Sequence, residues 1–408
     1  MTLSEELAER GFLNQTTYQD IKVLDGAAIS FYWGVDPSAD SMTIGNFAAA
    51  MMVKHFIRHG HKAFLLVGGA TGMIGDPDGK AQARNPKSLD EIAKNKHAIA
   101  AQYRKIFEGQ NFEIVDNYDW FKTINYLEFL RDVGQHVPMR QMLAREFVQT
   151  RLAEDGAGLS YAEFSYSLIQ AYDFLHLNKE HNVTLQVCGA DQWGNSVAGV
   201  DLIRRLTDQE THVWSAPLVV NKTTGVKFGK SEDGAIWLDS GKTSVYKFYQ
   251  FWLNLDDAGV ADYLKIYTLL DKPAIEKVMA EFKANRGARK AQKTLAYEVT
   301  KLVHGQAQTD SVQKASQVLF GDANFLELAT NEIEILKNEL KVIKADSDLA
   351  ATMVGAGLAA SNSAAVRLIK SGAVNINNQK VVPGDKIDFR PGDNLLRCGK
   401  NNFAIIEK

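Results

Sequence analysis

The sequence predicts an α/β protein built on a parallel sheet, and two strand–loop–helix units with an apolar strand between them carry that prediction. In the first unit Phe31-Tyr-Trp-Gly-Val35 is an aromatic strand that breaks at Asp36-Pro37, and a helix begins near Thr43. Ile44, Phe47, Ala48, Met51, Met52 and Phe56 follow the i, i+3, i+4 rhythm of a helix with one buried face. Ala63 to Val67 is the next strand. In the second unit Val183–Cys188 reads as a buried strand, followed by the loop Gly189-Ala-Asp-Gln-Trp-Gly194 and a helix through about Arg205.

Each unit leaves the first amides of a helix free at a strand end, an arrangement that suits a phosphate and also describes an ordinary strand–helix junction. After the strand at 63–67 comes Gly68-Gly-Ala-Thr-Gly-Met-Ile-Gly-Asp-Pro-Asp-Gly-Lys80, whose five glycines let backbone approach a ligand closely. Asp76 and Lys80 in that loop favour a ligand site over a plain surface turn. Ser88-Leu-Asp-Glu91 is a capping box opening a polar helix to about Glu108, and Phe112–Val115 reads as a strand. Helical segments cover roughly 124–133 and 138–153. A second capping box, Ser160-Tyr-Ala-Glu163, opens a helix on which Tyr166, Gln170 and Asp173 share a face. That face fits recognition of a polar ligand or plain solvation.

Pro217–Val220 reads as a short strand and Asn221–Gly225 as a turn. In Lys227-Phe-Gly-Lys-Ser231 two lysines three apart in a glycine-containing loop suit a clamp on a polyphosphate, or a solvated charge cluster. From Thr243 to about 319 the pattern is helical, with basic residues crowding 286–293. Residues 320–345 read as a linker with one or two short elements. From about Asp346 the chain changes to small-residue helices and short strands ending near Ile406. There is no internal repeat and no low-complexity tract.

A chain of 408 residues, 45% of them hydrophobic, has material for two or three domains with real cores. Residues 1–10 form an acidic amphipathic helix rather than a signal peptide, and no apolar run approaches the roughly 18 residues a membrane span requires. Cys188 and Cys398 match no metal-ligand spacing and read as thiols of a reducing compartment, so a cytoplasmic location is expected. The net charge of −3 hides an asymmetry. Residues 341–408 carry ten Lys and Arg against six Asp and Glu, a net of +4, which leaves −7 over the first 340. A basic tail suits an anionic partner such as nucleic acid, though such an excess is also common on solvated surfaces.

In this order, the pieces resemble the bacterial-type tyrosyl-tRNA synthetases, which are class I aminoacyl-tRNA synthetases, over essentially the whole chain. Asp36-Pro-Ser-Ala-Asp-Ser-Met-Thr-Ile-Gly-Asn46 stands at the family's HIGH signature and Gly68–Asp76 matches its GGATGxIGD loop. Phe164–Asp173 matches its tyrosine-binding helix, followed by Asp191-Gln-Trp-Gly-Asn195 and, at the KMSKS position, Lys227–Ser231. The resemblance implies a Rossmann-like parallel-sheet catalytic domain over 1–225, with a dimer-forming insertion at about 120–165. It further implies a KMSKS-type loop and α-helical anticodon-recognition domain over 226–319, a linker to 345, and an S4-like α+β RNA-binding domain over 346–408. Two departures stand out. Thr43 and Asn46 replace the signature's histidines; Asn46 keeps a side-chain donor, whereas Thr43 has a shorter reach and no imidazolium charge. Trp33 stands where relatives carry a small residue beside the adenylate ribose.

The implied activity is tyrosine–tRNA ligation. Tyrosine reacts with ATP to give tyrosyl adenylate and pyrophosphate, then the tyrosyl group passes to the 3'-terminal adenosine of tRNA(Tyr). By resemblance Tyr32 and Asp173 bond the phenolic hydroxyl, Asp76, Tyr166 and Gln170 hold the ammonium group, and Gln186 and Gln192 orient the carboxylate. Gly34, Asp36, Ser38, Gly45, Gly189, Asp191 and Lys230 line ATP. Thr43, Asn46, Lys80, Arg84, Lys227, Lys230 and Ser231 stabilise the transferring and leaving phosphates. Mg²⁺ arrives with ATP rather than in a protein cage. Two other readings fit parts of the chain: a synthetase-derived RNA-binding protein with impaired catalysis, supported by the altered Thr43-Ile-Gly-Asn46, and a tyrosine-adenylating enzyme that does not act on tRNA. Both lysines of 227–231 and the full set of tyrosine contacts disfavour the first, and the S4-like tail the second.

Overall fold

The computed structural model describes residues 1–77, 87–226, 228, 230–231, 234–346, 348–381 and 389–408, with residues 230 and 231 described for their backbone alone. The chain divides into two compact units, Met1–Lys242 with Asp256–Ala291, and Thr243–Leu255 with Gln292–Lys408.

The first unit is a six-stranded sheet, β1 (Gln15–Thr16), β2 (Ser30–Val35), β3 (Lys62–Val67), β4 (Phe112–Asp116), β5 (Val183–Gly189) and β6 (His212–Ala216), arranged in the order β1-β6-β5-β2-β3-β4. All pairings are parallel except β1 with β6. From β2 the chain steps outward through β3 to β4, and then returns to build β5 and β6 on the other side. The order therefore reverses between β2 and β5, the place where open parallel sheets hold their ligands.

Alternation along β2 sends its residues to opposite faces. The Phe31 ring packs on Phe56 of the Ile44–Arg58 helix and the Trp33 ring on Tyr103 of the Leu89–Ile106 helix. Tyr32 points the other way, its ring 5.2 Å from Phe174 of the Tyr161–His181 helix. There it joins a core of Phe64, Leu66, Trp120, Phe174, Leu177, Leu202 and Ile203. Trp33 is 4% exposed, so its bulk is absorbed under a helix.

Local signals account for most element ends. Ser88 accepts from the amide of Glu91, while the Glu91 carboxylate is paired with Lys87. The second box closes fully: Ser160 Oγ accepts from the Glu163 amide and Glu163 Oε2 accepts from the Ser160 amide at 3.1 Å. The segments at 124–133 and 138–153 resolve into Tyr126–Asp132, Met139–Leu143 and Glu146–Leu152. The strand expected over 217–220 lies earlier, at His212–Ala216, because Pro217 has no N–H to continue the ladder.

In the second unit the helices Val245–Leu253 and Gln306–Phe320 are tied by Gln250 Nε2 donating to Ser316 Oγ at 2.8 Å. A five-stranded sheet follows in the order Gln379–Lys380, Val374–Ile376, Asp393–Cys398, Asn402–Glu407, Lys341–Lys344. The last pairing is parallel and joins strands more than fifty residues apart in sequence. Leu349–Gly355 and Asn362–Lys370 contribute Met353 and Ala365 to a core with Val374, Leu396, Ala404 and Ile406.

Candidate active site

At the reversal point the C-terminal ends of β2 and β5 lie side by side, with Tyr32 registered opposite Gln186. Cross-strand partners in register share a face, so both side chains stand toward the Tyr161–His181 helix. The helix answers with Tyr166, Gln170 and Asp173. Tyr166 Oη donates to Asp36 Oδ2 at 2.8 Å, and Asp173 and Tyr166 are 2% and 6% exposed. The face therefore turns inward, with Tyr166 and Asp173 buried and Gln170 half-buried. Tyr32 Oη, Gln170 Oε1 and Gln186 Oε1 are buried without a hydrogen-bond partner. Orphaned buried polar atoms cost roughly 1–3 kcal/mol each, so three of them gathered in one place describe a cradle for a polar ligand.

Asp173 is held from behind by residues outside the sequence-derived site. Asn117 Nδ2 donates to Asp173 Oδ2 at 3.0 Å, and Trp120 Nε1 to Asp173 Oδ1 at 2.9 Å. Burial pushes the Asp173 carboxyl well above the usual carboxylate range, against the lowering effect of those two donors. Burial, and then the Asp173 charge, raise the Tyr32 phenol well above its ordinary value.

The glycine-rich loop is fixed by the same strand end. Gly69 N donates to Asp116 Oδ1 at 3.1 Å, Ala70 N to Asn117 Oδ1 at 2.7 Å, and Asn117 Nδ2 also reaches Thr71 Oγ1 at 3.0 Å. A Cβ at Gly68 would collide with Thr71 and Asp36, and one at Gly69 with Asp116, so both glycines are demanded by close approach. Asp76, at the end of the described loop, accepts from Gln192 Nε2. Gln192 precedes the Trp193–Thr207 helix, next to Gly189 and Asp191 at the end of β5. An Asp191 oxygen lies 2.6 Å from where a Cβ of Gly189 would be.

On the other side of β2, the Ile44–Arg58 helix opens with an internal cap. Thr43 N and Thr43 Oγ1 both donate to Asn46 Oδ1 at 3.0 Å. The Thr43 proton is thus given to Asn46, and the threonine acts on the asparagine amide rather than outward. Ser38 is exposed, in a turn where its amide donates to Asp36 O at 2.7 Å, and Gly34 is exposed at the strand end. Residues 236–238 run beside the cap: Ile44 N donates to Ile236 O at 3.1 Å and Leu238 N to Met42 O at 2.9 Å. A Cβ at Gly45 would sit 4.0 Å from the carbonyl of Phe228, which brings Phe228 to the mouth of the first signature. The Phe228 ring stacks on Tyr263 at 4.4 Å. Lys230 and Ser231 form a short hairpin with Gly234–Ala235 through their backbones. Lys80, Arg84 and Lys227 lie outside the described residues.

Among the described residues no group of three or more His, Cys, Asp or Glu side chains could hold a metal ion. Sequence reasoning missed Asp116, Asn117, Trp120 and Arg145. For the first two a signal existed, since Asp-Asn directly after a strand is where a parallel sheet places ligand-end residues. Trp120 and Arg145 carry no local signal, because what they bond lies far away in sequence.

The sequence family described as tRNA synthetases class I (W and Y) matches residues 25–321. Tyrosine–tRNA ligase 1 of Vibrio vulnificus (strain CMCP6) is 43% identical over 416 residues, covering 99% of this chain and 98% of that protein. Tyrosine–tRNA ligase of Lactococcus lactis subsp. lactis (strain IL1403) is 40% identical over 423 residues, covering 99% of this chain and all of that protein. Among solved structures, a C-terminally truncated Aspergillus nidulans mitochondrial tyrosyl-tRNA synthetase superposes with a TM-score of 0.71 at 30% identity, over 78% of this chain and 94% of that one.

Proposed function

The chain belongs to the tyrosine–tRNA ligases of the class I tRNA synthetase family for tryptophan and tyrosine, and we propose that the pocket at the sheet's reversal point carries its first chemical step. The enzyme activates L-tyrosine with ATP and transfers the tyrosyl group to the 3'-terminal adenosine of tRNA(Tyr). A tyrosine carboxylate oxygen attacks the α-phosphorus of ATP, the bond to the bridging oxygen breaks, and pyrophosphate departs with the electron pair. The terminal ribose hydroxyl of tRNA then attacks the carbonyl carbon of the adenylate, loses its proton, and AMP leaves.

In the proposed assignment Tyr32 and Asp173 bond the phenolic hydroxyl, Asp76, Tyr166 and Gln170 hold the ammonium group, and Gln186 and Gln192 direct the carboxylate. Gly34, Asp36, Ser38, Gly45, Gly189 and Asp191 take ATP, which enters as its magnesium complex. Asn46, oriented by Thr43, faces the phosphates together with Lys80, Arg84, Lys227, Lys230 and Ser231. Positioning and preorganised donors supply the acceleration, since no covalent enzyme intermediate is required.

The observation that carries this reading is the set of orphaned atoms on Tyr32, Gln170 and Gln186 beside the buried Asp173. A ligand with a phenol at one end and an ammonium group at the other supplies a partner for the Tyr32 hydroxyl and a donor for the Gln170 oxygen. Tyr32→Phe tests it: tyrosine-dependent ATP–pyrophosphate exchange should lose roughly tenfold in kcat/KM through one neutral hydrogen bond, with phenylalanine unaffected. Equal losses for both amino acids would refute the assignment.

Three further parts of the reading are proposals of the same standing. A homodimer would use the surface of the insertion at about 120–165, where Tyr126, Leu127, Met139, Leu152 and Tyr161 are 52–72% exposed and the Tyr126 and Tyr161 hydroxyls lie 3.2 Å apart. The helical block would read the anticodon region, and the basic tail from 346 would contact tRNA phosphates. A cytoplasmic location accords with two buried free thiols, Cys188 being pushed up to about 12 by burial. No helix of the described residues is long and apolar enough to cross a membrane.

A further inference from the structure

A chain of four side chains leads from the 139–152 segment into the tyrosine site. Arg145 Nη1 donates to Asn195 Oδ1 at 2.5 Å, Asn195 Nδ2 donates to Gln192 Oε1 at 3.1 Å, and Gln192 Nε2 donates to Asp76 Oδ2. Asn195 is 2% exposed. A Cβ at Gly194 would lie 2.5 Å from Arg145 Nη2 and 3.2 Å from its Cζ, so the guanidinium lies directly against the glycine.

The ends of this chain dictate its direction. A guanidinium can only donate, and an ionised carboxylate can only accept. Between them each amide must accept on the arginine side and donate on the aspartate side, which leaves one consistent orientation for both. A buried amide alone would have two orientations; here a single fixed cation removes the wrong one.

We infer that Arg145 and Asn195 are positioning residues that fix the Gln192 amide with its N–H group toward the substrate, so that the site offers a donor to the tyrosine carboxylate. The inference rests on the proposed assignment of Gln192 to that carboxylate and of Asp76 to the ammonium group. The orientation matters for chemistry, because a reversed Gln192 would put its carbonyl oxygen against both Asp76 and the attacking carboxylate. It also explains why a residue outside the pocket approaches glycine so closely.

The test uses full-length enzyme and two ligands, tyrosine and tyramine, which share phenol and ammonium groups but differ in the carboxylate. Asn195→Asp can accept from Arg145 but cannot donate to Gln192, so the Gln192 amide should reverse. Tyrosine binding is then expected to weaken about tenfold or more, while tyramine stays within about twofold, because a carbonyl oxygen facing the ammonium group is tolerated. Arg145→Gln, at a half-buried position, should shift the two ligands in the same unequal way by a smaller factor, and Arg145→Lys should restore most of the tyrosine affinity. Thermal melts establish that each variant is folded, and Arg145→Gln carries the test if Asn195→Asp does not fold. Gln192→Ala separates the two layers of the argument. If it leaves tyrosine binding unchanged, the assignment of Gln192 fails. If it weakens tyrosine while Asn195→Asp and Arg145→Gln change neither ligand, or weaken both equally, the assignment stands and the positioning role is overturned.

Discussion

Trp120 Nε1 donates to Asp173 Oδ1 at 2.9 Å, and through that bond a residue on a short helix after β4 orients the carboxylate proposed to recognise the tyrosine hydroxyl. The acceptor is a buried carboxyl, and leaving a buried polar group unsatisfied costs about 1–3 kcal/mol. Trp120→Phe keeps an aromatic ring against His176 but deletes the donor. It should reduce kcat/KM for tyrosine by roughly tenfold or more and narrow the preference over phenylalanine, measured by pyrophosphate exchange with each amino acid. Unaltered selectivity would show that Asp173 needs no support from this side.

Asp173 also gives the folded protein a pH signature. Its native pKa is raised by burial, so between the unfolded value of about 3.9 and the native value the folded state binds more protons than the unfolded state. Stability therefore falls as pH rises through that window. Asp173→Asn lacks the titration, and its unfolding free energy should lose less between about pH 4 and pH 7 than that of the parent. Denaturant melts across the window check the slope, and parallel profiles would contradict it.

The Thr43 cap makes a separable prediction. Because the hydroxyl donates to Asn46 Oδ1, Thr43→Ala removes one bond that orients the asparagine amide and keeps the bond from the Thr43 backbone N–H to Asn46 Oδ1. The rate of adenylate formation should fall with little change in tyrosine KM, the pattern of an interaction made in the transition state. Asn46→Ala should slow the step at least as much. A normal pre-steady-state rate in Asn46→Ala would remove this helix end from the phosphate-binding apparatus.

The strand–loop–helix units were legible because each is written locally: apolar alternation, Pro37 and the capping residues lie within a few positions of the boundaries they set. Tyr166, Gln170 and Asp173 could be placed on one face by spacing alone, but which way the face turned depended on packing against β2. The reversal between β2 and β5 was beyond local reading, since it depends on where the chain returns after β4. For the same reason Trp120 and Arg145 were missed. Each acts on a carboxylate or amide about fifty residues away, and nothing in its own neighbourhood marks it. The 212–216 strand was misplaced by a few residues because an apolar Pro-Leu-Val-Val run outweighed the missing proline donor.

Removal of the tail should separate the two steps. The sheet of the C-terminal region includes Lys341–Lys344 paired with Asn402–Glu407, so a chain ending before Lys341 deletes that sheet as a whole. Tyrosine-dependent exchange should stay within about twofold, while aminoacylation at physiological salt should fall by about 10² or more through lost phosphate contacts. Full charging activity in the truncated protein would mean that the tail is not the tRNA-binding arm.

The most direct measurement is ATP–pyrophosphate exchange with tyrosine and with phenylalanine, run side by side on the parent chain and Asp173→Ala. The pocket at the β2–β5 reversal should support exchange with tyrosine in strong preference to phenylalanine, and Asp173→Ala should lose most of the tyrosine activity and with it the preference. Unchanged selectivity in a folded Asp173→Ala, or no tyrosine-dependent exchange in the parent, would contradict the account.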